Sequence, residues 1–293
     1  MNAEGAAIFV GPQQAKVVTS LKKALNASDS IIVVSGDIGV GKTTIVTRAL
    51  ETNSAYQMVA WIGRMKLPPD DVLQLLLAGF GIRRQFSGTI QRFAAFRTLL
   101  NEWAAADKRV VIVVEDATRI GNDALLELES LTAADSGAGS GANIVLMGPP
   151  EISKLIAAPD LARLRQRSRL AQKIIPFNAV EAGGYMKHCV RAAGGDYAAI
   201  FETDAADMVY RCSAGVPRVI NILCESALQA AAEGKLEKVT AGLVRKVASE
   251  VHALEPVLPA AAATPEVLQA AATKPVETEL PPEPAAVESP EPP

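Results

Sequence analysis

A glycine-rich segment followed by a lysine and two threonines carries the strongest chemical signal in this sequence. Residues 36–43 read GDIGVGKT and fit the pattern G-x-x-x-x-G-K-[S/T]. Glycines let backbone N–H groups wrap phosphate oxygens, the lysine supplies a cation for the β- and γ-phosphates, and the next hydroxyl is a ligand for Mg²⁺. The sequence therefore predicts a nucleotide site formed by Gly36, Asp37, Ile38, Gly39, Val40, Gly41, Lys42, Thr43 and Thr44.

Two adjacent carboxylates, Glu115 and Asp116, directly follow the apolar run 110–114. In nucleoside triphosphate hydrolysis, one such carboxylate holds Mg²⁺, usually through water, and another polarises the attacking water. We expect Glu115 and Thr43 to hold the metal and Asp116 to act on the water.

These residues need a framework that brings them together. Short, wholly apolar runs at 31–34, 58–62, 110–114 and 143–147 predict four strands, and apolar residues at helical spacing between them predict connecting helices. Strands that are apolar throughout and separated by helices form parallel sheets covered on both faces. The predicted fold class is α/β, with a parallel sheet flanked by helices.

The pattern changes twice further along the chain. After Pro176 it becomes helical only, and residues 215–217 (GVP) separate two of the helices. Residues 255–293 hold 10 of the 18 prolines and carry a net charge of −6, which leaves +3 for the first 254 residues. Proline-rich sequence with little large apolar surface does not fold alone. We predict an α/β nucleotide-binding domain at 1–176, a small all-α domain at 177–254 and a disordered Pro/Ala/Glu-rich tail at 255–293.

Composition excludes several other classes of protein. The 293 residues carry a net charge of −3, so the chain is not a general polycation. Three cysteines without a C-x-x-C pair and two histidines argue against a disulfide framework or a zinc site. No apolar run reaches the roughly 18 residues of a membrane helix, and the first residues lack the basic start of an export signal. We expect a cytoplasmic protein.

Five further segments give the chain a specific resemblance. Residues 67–73 with 79–82 (LPPDDVL, GFGI) resemble "LSPEELL…FGL", and 115–117 (EDA) resemble part of "IIDEAQNL". Residues 145–152 (VLMGPPEI) resemble "VLVGQPEL", 166–167 (QR) resemble "QRI…LPPL", and 215–221 (GVPRVIN) match "GxPRxIN". Together these motifs resemble the ExeA, or general secretion pathway protein A, type of AAA+ ATPase over roughly residues 8–250.

The resemblance implies a P-loop NTPase body of the AAA+ type and a helical lid. ATP and Mg²⁺ would lie between body and lid and between the subunits of a ring or open ring. Arg218 would then be the lid arginine that reaches the γ-phosphate. An arginine acting on the neighbouring subunit's site is expected among Arg163, Arg165, Arg167 and Arg169, and Arg167 takes the family's Gln-Arg position.

The chain departs from the family pattern at two positions that concern catalysis. The family's Asp-Glu order is reversed, so Asp116 is one methylene shorter than the usual glutamate, and Pro149 stands where the family has a glutamine. A misplacement of about 1 Å can lower a rate roughly a hundredfold. We therefore predict tight ATP binding with slow hydrolysis.

The leading functional hypothesis is an ATPase that drives or regulates assembly of a secretion, pilus or exopolysaccharide machine of the cell envelope. It would act at the inner membrane through a protein partner, which could itself be membrane-bound. One alternative is a DNA-binding AAA+ regulator that selects transposition targets or loads helicases; the basic stretch 163–169 favours it and the acidic tail opposes it. Another is an ATP switch that hydrolyses poorly.

Overall fold

A parallel five-stranded sheet forms the centre of the N-terminal part of the molecule. The computed structural model describes residues 8–27, 30–53, 56–63, 66–82, 86–133 and 142–254. The strands are β1 (Ile31–Ser35), β2 (Tyr56–Ile62), β3 (Arg109–Val114), β4 (Asn143–Gly148) and β5 (Ser168–Lys173), in the order β2-β3-β4-β1-β5. All four strand pairs are parallel. The predicted α/β fold class is confirmed.

Helices cover both faces of this sheet because its central strands are apolar throughout. Helices α1 (Pro12–Leu25) and α2 (Lys42–Glu51) cover one face, and α3 (Pro69–Gly79), α4 (Thr89–Ala105) and α6 (Asn122–Thr132) cover the other. Successive strand side chains point to opposite faces. Ile32 and Val34 accordingly belong to the core with α1 and α2, and Ile31 and Val33 to the core with α3, α4 and α6. Shorter elements complete this part: α5 (Ala117–Ile120), α7 (Ile152–Ile156), a 3₁₀ turn (Pro159–Leu161) and α8 (Ala162–Arg167).

The fifth strand corrects the sequence analysis, which predicted four. The segment Ser168–Lys173 reads SRLAQK, and its residues alternate between half-buried and exposed. Such a pattern belongs to a strand at the edge of a sheet and lacks the continuous apolar run that marks the inner strands. Arg169 therefore lies on an exposed position of a strand, whereas Arg163, Arg165 and Arg167 lie on α8.

The described residues that follow the sheet are helical, apart from one bridge between Phe201 and Val239. They form α9 (Ala179–Ala192), α10 (Tyr197–Ile200), α11 (Ala205–Ser213), α12 (Pro217–Glu233) and α13 (Ala241–Leu254). Phe177, Val209 and Ile220 are among the side chains of their shared core. The break between α11 and α12 falls where the sequence GVP predicted it. The domain boundary at 176/177 stays a prediction, and the proposed tail lies outside the described residues.

A close backbone contact joins the start of the helical part to the break before α12. The Phe177 N–H donates to the Gly215 carbonyl at 2.9 Å. Gly215 has φ +73°, and a Cβ built on it would lie 2.0 Å from the Phe177 carbonyl oxygen. Only glycine fits this position, which fixes where α12 begins.

A buried carboxylate ties the N-terminal segment to α9. Glu181 is 4% exposed, and its Oε1 accepts the Gln13 N–H at 3.0 Å. Its Oε2 accepts the Asn178 N–H at 3.2 Å, which completes a capping box because Asn178 Oδ1 accepts the Glu181 N–H. Phe9 lies nearby, against the rings of Phe177 and Tyr185. One side chain therefore caps α9 and holds the segment that leads into α1.

In the part of the chain that the structure describes, no helix is both long and apolar enough to cross a bilayer.

Replacement of Gly215 by alanine tests the close contact before α12. We expect Gly215→Ala to lower the free energy of unfolding by about 3 kcal/mol or more, because the new Cβ clashes with backbone and the left-handed conformation strains an L-residue. Denaturant unfolding measures the change. Gly242→Ala is the matched control, since a Cβ there meets no atom closer than 3.7 Å; similar stability losses in both variants would contradict the explanation.

Candidate nucleotide site

The glycine-rich segment forms a tight loop between β1 and α2. Gly39 and Gly41 have φ of +85° and +92°, a region that favours glycine. The Lys42 ammonium donates to the carbonyls of Gly36 at 2.7 Å and Asp37 at 3.0 Å. The lysine is thus held beside the loop backbone, close to the first turn of α2, where helical N–H groups lack acceptors within the helix.

Other predicted loop residues shape the loop without lining the cavity beside it. The Gly36 N–H donates to the Gly148 carbonyl at 3.2 Å, and a Cβ at Gly36 would lie 2.7 Å from the Ile174 carbonyl oxygen. Val40 is 3% exposed and packs in the core beneath α2. Ile38, in contrast, is 69% exposed and lines the cavity.

The end of β3 supplies a carboxylate to the start of α2. The Thr43 hydroxyl donates to Glu115 Oε1 at 2.9 Å, which unites the two residues predicted to hold a metal. Hydroxyl and carboxylate oxygens are ligands that Mg²⁺ accepts, and Mg²⁺ usually keeps several waters and binds substrate phosphates as well. The donor set fits that ion, although its role here stays a prediction.

Asp116 occupies an unusual backbone conformation at the start of α5. Its φ of 49° and ψ of 51° are left-handed, which aspartate tolerates better than most residues. The short helix after it is anchored because Ala117 and Ile120 are buried, and Gly121 with φ +99° ends it. The backbone therefore turns sharply directly after the two carboxylates.

Helix α12 contacts the loop directly through its first turn. The Arg218 N–H donates to the Gly39 carbonyl at 3.2 Å, and a Cβ on Gly39 would lie 2.8 Å from the Arg218 Cβ. The exposed Arg218 side chain lines the same cavity as Lys42.

These elements enclose one cavity of about 880 Å³. The loop and α2, the segment after β3, the end of β4, α9 and α12 all contribute to its wall. The structure thus brings together most of the predicted site. The lining residues are Ile38, Gly39, Gly41, Lys42, Thr43, Thr44, Glu115, Asp116, Thr118, Arg119, Met147, Pro149, Tyr185, Pro217, Arg218, Asn221, Ile222 and Glu225.

Arg167 does not contribute to this cavity. Its guanidinium contacts Glu129 Oε1 at 3.1 Å and donates to the Glu129 carbonyl at 2.7 Å, and both side chains are largely buried. Arg163, Arg165 and Arg169 are exposed. The assignment of Arg167 as an arginine that acts on a neighbouring subunit stays a prediction, and such a role would require the Glu129 contact to break.

Several cavity residues were not predicted from the sequence. Asn221 belongs to the segment 215–221 that carries the resemblance, and Thr118 and Arg119 lie two and three residues after Asp116. Their positions in the sequence could therefore have indicated all three. Tyr185 and Glu225 sit in ordinary helical sequence and gave none. The Tyr185 hydroxyl donates to Asn221 Oδ1 at 3.0 Å, and burial raises the pKa of Tyr185 to about 12.

Known proteins are similar to this chain in sequence and in fold. Residues 25–156 match the family model described as an AAA domain. The chain is 26% identical over 248 residues to General secretion pathway protein A of Aeromonas hydrophila, covering 84% of this chain and 45% of that protein. This chain has the AAA+ P-loop NTPase fold. The resemblance predicted from the motifs is confirmed, and the AAA+ chain spans less than half of that relative's length.

Solved structures agree with this assignment of fold. The AAA+ chain superposes on ORC2 of Aeropyrum pernix with a TM-score of 0.65 and 13% identity, covering 84% of this chain and 70% of the other. For Cdc6p of Pyrobaculum aerophilum the TM-score is 0.67 with 16% identity and coverages of 85% and 70%. For the RuvB Holliday junction branch migration motor of Thermotoga maritima the TM-score is 0.51 with 17% identity, covering 82% of this chain and 69% of the other. Identities this low speak for the fold alone.

Replacement of Tyr185 by phenylalanine tests its buried hydroxyl. We expect Tyr185→Phe to cost about 1 kcal/mol of unfolding free energy near neutral pH, because the Asn221 Oδ1 loses its donor. The ordinary tyrosine pKa of 10.0 applies to the unfolded chain and about 12 to the folded one. The stabilising effect of the neutral hydroxyl is thus complete below pH 10 and is lost as pH rises towards 12.

Denaturant unfolding of wild type and variant at several pH values measures this difference. The difference in unfolding free energy between wild type and Tyr185→Phe should shrink as the pH rises from 10 towards 12. Tyr210→Phe is the control, because Tyr210 lies outside the cavity. A difference that stays constant up to pH 11 would contradict the role given to the Tyr185 hydroxyl.

Proposed function

We propose that this protein binds and hydrolyses ATP with Mg²⁺ and uses the cycle to drive or regulate assembly of a cell-envelope machine for secretion, pilus formation or exopolysaccharide export. It acts as a ring or open ring of identical subunits. Its partner is a protein of the envelope machine, which can be membrane-bound, and the chain works in the cytoplasm at the inner membrane through that partner. The similarity to General secretion pathway protein A over 84% of the chain supports this choice of process.

One observation carries the proposal for ATP. The loop lysine, the Thr43–Glu115 pair and Arg218 line a single cavity, although they come from α2, the end of β3 and α12. Two cations and a hydroxyl–carboxylate pair in the lining of one cavity match the needs of a triphosphate with a hard metal ion. A cavity of about 880 Å³ also has ample room for a nucleotide.

Each residue then has a chemical task. Lys42 and the N–H groups at the start of α2 bind phosphate oxygens, and Thr43 with Glu115 would hold Mg²⁺, which when bound offsets negative charge on the phosphates. Asp116 orients and polarises the attacking water. Arg218 contacts the γ-phosphate from the lid, so the presence of that phosphate favours the closed arrangement of α12 on the loop.

Replacement of Lys42 tests nucleotide binding itself. We expect Lys42→Ala to weaken ATP binding at least about a hundredfold, because it removes the cation that the loop holds beside the phosphates. Calorimetry with ATP and Mg²⁺ measures the affinity, and Lys16→Ala on the exposed surface of α1 is the matched control. If the wild-type protein took up no adenine nucleotide, the proposal would fail.

Lengthening Asp116 tests the predicted slow turnover. We expect Asp116→Glu to raise the rate of ATP hydrolysis by up to about a hundredfold, because the carboxylate regains the reach of the family's glutamate. Asp116→Asn is the control, since it tolerates the same left-handed backbone but cannot take a proton, and it should lower the rate. Phosphate release under saturating ATP measures both. An Asp116→Glu variant no faster than wild type would show that the length of this side chain does not limit the rate. Wild-type turnover near background with intact ATP binding would favour an ATP switch.

A DNA-binding AAA+ regulator is the second candidate. Three exposed arginines, Arg163, Arg165 and Arg169, within seven residues support it, because exposed cations bind phosphate backbones without regard to sequence. Filter binding of duplex DNA with and without ATP separates the candidates. ATP-dependent binding that weakens steeply with salt would favour this second function over the first.

A further inference from the structure

Helix α5 contributes to the cavity an arginine to which the proposed function gives no task. Arg119 lies on α5, three residues after Asp116, and it lines the cavity together with Thr118. Ala117 is fully buried and Ile120 is 2% exposed in the core with α3, α4 and α6. Because these two residues point into the core, the two between them must face the other way, towards the cavity. The packing of this helical turn against the core thus directs the Arg119 side chain towards the cavity.

The guanidinium of Arg119 is available for a ligand. The residue is exposed, and its side chain makes no hydrogen bond or ion pair with any residue in the described ranges. Its backbone is held, because the Arg119 N–H donates to the Asp116 carbonyl at 2.8 Å. A flexible cation on a fixed backbone can reach across a cavity without disturbing the fold.

Its neighbours on the same wall cannot provide that charge. Met147 and Pro149, which line the cavity at the end of β4, carry no hydrogen-bond donor in their side chains. Thr118 offers only a neutral hydroxyl. Within the described lining, Arg119 is therefore the cation on the side of the carboxylates, whereas Lys42 belongs to the loop and Arg218 to the lid.

The charge balance of the cavity shows how this cation favours an anionic ligand. The described lining holds three cations, Lys42, Arg119 and Arg218, and three carboxylates, Glu115, Asp116 and Glu225. The sum of formal charges is zero with Arg119 and −1 without it. A magnesium–triphosphate complex is itself negative, so removing Arg119 would place it in a cavity of the same sign.

We propose that Arg119 binds the terminal phosphate of a nucleoside triphosphate in its own subunit and so lets the cavity distinguish triphosphate from diphosphate. This inference rests on the proposed nucleotide site and adds a binding residue to it. Arg119 follows, on α5, the carboxylates proposed to hold the metal and the water, and it lines the same cavity, so it is placed to bind the end of the phosphate chain. A diphosphate ends before that point and loses little when Arg119 is absent.

The test is the ratio of affinities for a non-hydrolysable ATP analogue and for ADP, measured by calorimetry with Mg²⁺ on the full chain. We expect Arg119→Gln to weaken binding of the analogue about tenfold and binding of ADP less than threefold, because a charge-assisted hydrogen bond to the terminal phosphate is lost. Arg119→Lys should recover part of the loss, since it restores the charge without the planar fork. Arg211→Gln is the matched control, because Arg211 lies outside the cavity, paired with Asp207 on α11.

The outcomes separate this inference from the proposed function. Wild-type binding of both nucleotides with an unchanged affinity ratio in Arg119→Gln, or an equal loss for both, would overturn the role of Arg119 and leave the nucleotide site standing. No uptake by the wild type would overturn both. The loss should be the same at low and high protein concentration, because Arg119 lines the cavity of its own chain. A loss seen only at concentrations where subunits associate would overturn the assignment to one subunit.

Discussion

The seating of α12 on the glycine-rich loop is the contact on which the site depends. The Arg218 N–H binds the Gly39 carbonyl, and the two residues approach so closely that Gly39 has no room for a Cβ. The same loop also binds the Lys42 ammonium through the carbonyls of Gly36 and Asp37. The segment that we propose to wrap phosphates therefore also supports the helical part, and the left-handed glycines that would permit the first task permit the second as well.

The chemistry of the site arises from three elements that are remote in sequence. The loop offers one cation and N–H groups, the end of β3 offers carboxylates, and α12 offers a further cation. Parallel strands have their carboxyl ends at the same edge of a sheet. The topology alone therefore brings the loop after β1 close to the carboxylates after β3. Helix α12 begins where it does because Gly215 lets the backbone pack against Phe177.

Much of this could be predicted from the sequence, and the failures have physical causes. The buried strand Ile31–Ser35 is apolar over its first four residues, so the sequence predicted the fold class. The glycine-rich pattern between a buried strand and a helix likewise predicted the position of Lys42 in the site. The edge strand Ser168–Lys173 was missed because a strand with one solvated side needs few apolar residues. Tyr185 was missed because its place in the cavity follows from how α9 packs on α12, which no local pattern encodes. The buried ion pair of Arg167 with Glu129 was equally hidden, since its partners lie 38 residues apart.

The capping carboxylate Glu181 has a mechanical consequence for the lid. The Asn178 N–H belongs to the cap of α9 and would move with it, whereas the Gln13 N–H belongs to the first helix. Any motion that pulled α9 away from α1 would therefore remove one donor from this buried carboxylate, at a cost of about 1–3 kcal/mol. The Gln13–Glu181 contact therefore opposes the separation of α9 from α1 and holds the first turn of α1 against the helical part.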